Sequence, residues 1–163
     1  NNFSIIPNKT FRLAPPPALN DIELKLAYLL GFCNGDGCVH FAKNEMLYIK
    51  FYSSSIEVLK WIKELFDSLD LPTPRAKKGN PISDISHSET CKSLSFSGMQ
   101  AVYFYELAKK IPVPVLKRKW EQPRIEEYIK RIKQEKPEWF PETIEQVMSR
   151  NNINFSKIFP TSV

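Results

Sequence analysis

Apolar positions run along the chain in two alternating periods, and the switches between them mark its elements. From Leu24 to Phe32 the period is helical, with Leu26, Leu29, Leu30 and Phe32 free to enter a core. Asn20-Asp21 gives this helix an N-cap signal, Glu23 lies in its first turn, and Gly35-Asp36-Gly37 stops it. The period then falls to two. Cys38 to Ala42 sets Val39 and Phe41 against His40 and Ala42, residues 42–45 turn, and Met46 to Tyr52 sets Leu47, Ile49 and Phe51 against Met46, Tyr48, Lys50 and Tyr52. Ser53-Ser54-Ser55 caps a second helix, Ile56 to Leu69, carrying Val58, Trp61, Ile62, Leu65 and Phe66 on one side. Pro72 and Pro74 end it. Next comes a short strand with Arg75 and Lys77 on one side, then a polar, turn-rich stretch from Ile82 to Thr90 that reads as a mobile loop.

Alternation returns from Cys91 to Ser97, with Leu94 and Phe96 inward, and Ser97-Gly98 opens a helix from Met99 to Lys110 with Val102, Phe104, Tyr105, Leu107 and Ala108 on its apolar side. A proline turn then leads into Lys117-Arg118-Lys119-Trp120, and further helices are expected at Ile125–Gln134 and Pro141–Met148. Residues 1–20, with Pro7 and Pro15-Pro16-Pro17, read as an extended arm, residues 21–150 as one domain and residues 151–163 as an irregular tail. The order α-β-β-α-β-β-α predicts an α+β fold, four strands with helices on their inner face.

Composition changes this picture in two places. The net charge of +5 is concentrated: residues 71–120 carry nine Lys or Arg against three Asp or Glu, while the flanking segments are nearly balanced. A basic excess in one segment is an electrostatic footprint for a polyanion, although a soluble basic face has the same signature. The three cysteines, Cys33, Cys38 and Cys91, have no framework spacing, which implies a reducing intracellular compartment. Cys33, Cys38 and His40 lack a fourth ligand for zinc. No run approaches the ~20 apolar residues of a membrane span, and residues 1–20 lack a charged-then-apolar leader pattern, so no membrane partner is expected.

The first helix carries the chemistry. Ala27, Gly31 and Gly35 recur every fourth residue and form a stripe with almost no side chain, along which a second backbone can approach closely. Asp36 ends the helix at the negative pole of its dipole, where a carboxylate is unfavourable unless a cation offsets it. A buried helix stopping at a Gly-Asp-Gly turn fits the local pattern equally well.

Leu29-Leu30-Gly31-Phe32-Cys33-Asn34-Gly35-Asp36-Gly37 resembles the LAGLIDADG motif of the homing endonucleases, in the branch with one motif per chain. It departs from the motif at Leu30, where the motif has Ala, and at Asn34, where it has Asp. The resemblance covers roughly residues 22–135, and no second copy of the motif occurs. It implies an αββαββα fold, a curved antiparallel four-stranded sheet backed by helices. It also implies a homodimer through Ala27, Gly31, Asn34 and Gly35, cutting double-stranded DNA at a long near-palindromic site.

By the same resemblance Asp36, with Gly35, holds Mg²⁺ or Mn²⁺, Lys119 stabilises developing charge, and Ser55 positions water. The outward strand positions His40, Ala42, Asn44, Met46, Tyr48, Lys50 and Tyr52, with Arg75, Lys77 and Lys78, face DNA, because a two-stranded ribbon fits the major groove. Lys117 and Arg118 are phosphate contacts or solvent-facing charges. The alternative within the family is an intron maturase, or a cleavage-inactive module that binds structured RNA. A chloroplast or mitochondrion is one reducing compartment compatible with an intron-encoded protein of this kind.

Overall fold

The computed structural model describes residues 14–43, 45–72, 85–87 and 91–159. Helix α1 (Ile22–Asp36) runs directly into strand β1 (Gly37–Phe41), and β2 (Leu47–Ser53), α2 (Ile56–Leu69), β3 (Ile85–His87), β4 (Lys92–Ser97) and α3 (Met99–Lys110) follow. The remainder is helical: one turn, α4 (Lys117–Trp120), then α5 (Pro123–Glu135), a 3-10 turn at Pro137–Trp139, α6 (Ile144–Arg150) and a second 3-10 turn at Phe155–Lys157.

The strands form one antiparallel sheet in the order β1-β2-β4-β3. The alternation read from the sequence sets its two faces. Leu47, Ile49, Phe51, Leu94 and Phe96 are buried on one, while Tyr48, Lys50, Tyr52, Ser93, Ser95 and Ser97 turn to the other. Phe51 is the hub of the buried layer. Its ring lies within 6.4 Å of those of Phe32, Phe66, Phe96 and Phe104, which come from α1, α2, β4 and α3. Three helices and the sheet therefore share one core, completed by Leu26, Leu29 and Leu30 of α1. Leu30, a departure from the motif, is fully buried there.

Two glycines are fixed by geometry. Gly98 adopts φ +58° and ψ −124°, a conformation strained for any residue with a Cβ, and its N–H donates to the Leu47 carbonyl at 3.1 Å. A Cβ on Gly37 would lie 2.7 Å from the Cys33 backbone, so only glycine lets α1 pass straight into β1.

Three expectations shift. The third strand forms at Ile85–His87, inside the stretch read as a loop, because its partner β4 supplies the hydrogen bonds that local polarity could not announce. The expected strand with Arg75 and Lys77 lies outside the described residues. The last helix begins at Ile144, since Thr143 makes a capping box with Gln146. The segment beyond Asn151 is also docked: Ile153 and Phe155 are buried, and the Asn154 N–H donates to Glu23 at 2.7 Å.

Candidate functional site

The C-terminal end of α1 is where the expected site residues converge, and Lys119 organises it. The last turn of α1 contains no basic residue, so its carbonyls have no cation of their own. Lys119 reaches in from α4 and donates to the carbonyls of Cys33 at 2.7 Å, Asn34 at 2.7 Å and Gly37 at 2.6 Å. Three donors on one ammonium meet three acceptors, so its hydrogen-bonding capacity is fully used. A cation at this pole also offsets the helix dipole. Lys119, expected to stabilise charge on a substrate, is thus a cap on the helix that carries Asp36.

Asn34 sits in the same joint. Its Oδ1 accepts from the Trp120 indole N–H at 2.8 Å and from the Leu116 N–H at 3.5 Å, and its Nδ2 donates to the Pro114 carbonyl at 3.4 Å. The side chain expected at a dimer interface is instead engaged within its own chain. An aspartate in its place could not donate to Pro114. Trp120 is buried against Phe104 and Tyr105 of α3, which anchors the joint to the core.

Asp36 and Gly35 are exposed beside this joint, as is Gly31 one turn earlier, while Ala27 is half-buried. Among the described residues, a Cβ added to Gly31 or Gly35 would meet nothing within 4 Å. Among the described residues, the close approach these glycines allow is therefore not used. The oxygen donors at Asp36 and Gly35 are of the kind a hard divalent cation takes, and they include a single carboxylate. Among the described residues no three His, Cys, Asp or Glu side chains gather as a metal cluster. Cys33 is buried, and burial pushes its thiol up to about 12, against a smaller pull downward from Lys119. It is a packing residue.

The outer sheet face is polar and aromatic. Cross-strand pairing sets His40 beside Tyr48, Cys38 beside Lys50, Lys50 beside Ser95 and Tyr52 beside Ser93. The His40 and Tyr48 rings stack at 5.8 Å. Burial first, and then the Lys50 charge, hold the His40 imidazole below its ordinary pKa, and its buried Nδ1 has no hydrogen-bond partner among the described residues. Tyr52, 39% exposed, is the most open aromatic of the face.

Other expected residues scatter. Ser55 is fully buried at the N-cap of α2, out of reach of a substrate in this conformation. Ala42 and Met46 close the β1–β2 turn through a 3.0 Å backbone hydrogen bond. Lys117 is exposed and 3.9 Å from Glu121, and Arg118 is exposed. Asn44, Arg75, Lys77 and Lys78 lie outside the described residues. Sequence reasoning missed Trp120 and Pro114 as partners of Asn34; a tryptophan directly after the cationic run was the only signal.

The fold and site together define a mixed α+β protein with a four-stranded antiparallel sheet, polar on one face and backed by helices on the other. No family model, curated protein or solved structure matches the chain. Among the described residues no helix is long and apolar enough to cross a membrane.

Proposed function

We propose that the chain is a homodimeric, divalent-metal-dependent DNA endonuclease of the LAGLIDADG type. The observation that carries this reading is the state of α1: an open stripe at Gly31 and Gly35 leads to an exposed carboxylate at Asp36. A second copy laid along that stripe brings a second Asp36 to the same end and completes an oxygen-rich cation site. The α-β-β-α-β-β-α order and the polar outer face with Tyr48, Lys50 and Tyr52 agree with it.

Bound Mg²⁺ supplies Lewis acidity for the scissile phosphate and a water of lowered pKa. The chain's own part is positional. Asp36 holds an oxygen ligand at a helix end, while Lys119 and Asn34 fix that end to α4. The test is cleavage of a randomised duplex library with Mg²⁺, comparing wild type with Asp36→Asn. That variant is nearly isosteric, so it should fold and bind duplex as wild type does, and cleave at background rate. Wild-type protein that binds a best duplex tightly and never cuts it with Mg²⁺ or Mn²⁺ refutes the nuclease reading and leaves binding of structured RNA in its place.

A further inference from the structure

A second site lies on the helix side of β1, away from the outer sheet face and from Asp36. There α5 crosses the tip of the β1–β2 hairpin, and an open cleft of about 350 Å³ is lined by Phe41, Glu45, Arg124, Glu127, Tyr128 and Arg131. Phe41 and Tyr128 meet edge to face at 5.2 Å and form its floor. The Arg124 guanidinium rests over the Phe41 ring at 4.6 Å, and that of Arg131 lies 5.9 Å from the Tyr128 ring. Among the described residues neither arginine makes an ion pair, although two glutamates line the same cleft.

Arginines held on rings rather than on carboxylates keep their N–H edges for a ligand. Arg124 and Arg131 are seven residues apart on α5, about 10 Å along the helix axis. Two guanidinium groups beside an aromatic floor suit a ligand with a planar part and an anionic part. Guanidinium planes and aromatic rings stack unpaired bases. Carboxylates accept from base amino groups, and a guanine edge offers a carboxylate two neighbouring N–H donors. We propose that this cleft binds an unpaired nucleotide, with its base on the Arg124–Phe41 surface, its phosphate on Arg131, and guanine favoured through Glu45 and Glu127.

The site does not involve Asp36, so the Asp36→Asn protein serves for the test and the outcome is independent of cleavage. Guanosine 5′-monophosphate, uridine 5′-monophosphate, guanosine and inorganic phosphate are titrated separately and followed by amide NMR shifts. The expected result is saturable shifts at Phe41, Tyr128 and the α5 amides with the guanine nucleotide, and weaker binding of the uracil nucleotide. Arg131→Gln should weaken the guanine nucleotide about tenfold, the loss of one charge-assisted contact, and leave guanosine unchanged. Arg124→Gln should weaken guanosine as well, and the double variant Glu45→Gln, Glu127→Gln should remove the preference for guanine. All four side chains are exposed or on the surface rim, so the variants retain the fold. Shifts elsewhere only, no saturable shifts at all, or inorganic phosphate binding as tightly as the nucleotide overturns the proposal.

Discussion

Lys119→Met removes the ammonium from the α1 joint while keeping a chain of similar length. Three carbonyls, those of Cys33, Asn34 and Gly37, then lose their common donor. A hydrogen bond to a charged group contributes about 1.5–3 kcal/mol, but three bonds sharing one charge do not add. The lysine is only half-buried, so water replaces part of what is lost. The joint expectation is a destabilisation of about 2–4 kcal/mol, a large share of the ~5–15 kcal/mol of a typical domain. Urea unfolding followed by Trp fluorescence and far-UV circular dichroism measures it, with an unchanged m-value showing that the two end states are preserved. Lys119→Arg should fall between, because a planar guanidinium cannot aim three converging donors as an ammonium does. A surface cation has no such effect: substitutions at open positions stay within about 0.5 kcal/mol. If Lys119→Met keeps wild-type stability to within that range and loses only cleavage, the capping argument fails and the lysine acts on substrate.

Gly31→Leu should fold as a monomer with near wild-type stability, because none of the described residues occupies that space; a dimer by light scattering at working concentration would place the interface elsewhere. Thiol labelling of native protein at pH 8 should reach the exposed Cys91 first and Cys33 only on unfolding, since Cys33 is buried with its thiol pushed up to about 12; fast native labelling of Cys33 contradicts the packing. The His40 pKa is lowered on folding, so between its folded and unfolded values the unfolded chain binds more protons. Its contribution to stability is therefore complete above about 6.5 and lost as pH falls through the folded value. His40→Gln should flatten the acid side of a melting-temperature profile, and a steeper acid limb in the variant would reverse the sign.

The parts of this fold that depend on neighbours in sequence were legible, and the parts that depend on distant partners were not. Strict alternation in Leu47, Ile49 and Phe51 set a face because a strand buries every second residue wherever it lies. The amphipathic spacing of α2 worked for the same reason. Ile85–His87 failed because a three-residue edge strand is defined by β4 rather than by itself. The Gly31 and Gly35 stripe was visible, and so was Asp36 as a helix-ending acid. What Lys119 and Asn34 do was hidden, since each bonds groups more than 80 positions away. A cationic run reads as surface charge until the carbonyls that attract it are in view.

The ends of the first two helices are both completed by residues made much later. Arg150 donates to the carbonyls of Leu69 at 2.9 Å and Asp70 at 2.6 Å, doing for α2 what Lys119 does for α1. During translation Cys33 is followed by Lys119 only after 86 further residues, roughly 4–17 s at ordinary ribosome speeds. Until then the three carbonyls at the end of α1 lack the donor that completes them. The later helices therefore finish the ends of the earlier ones, and a chain stopped after α3 would lack the donors for both.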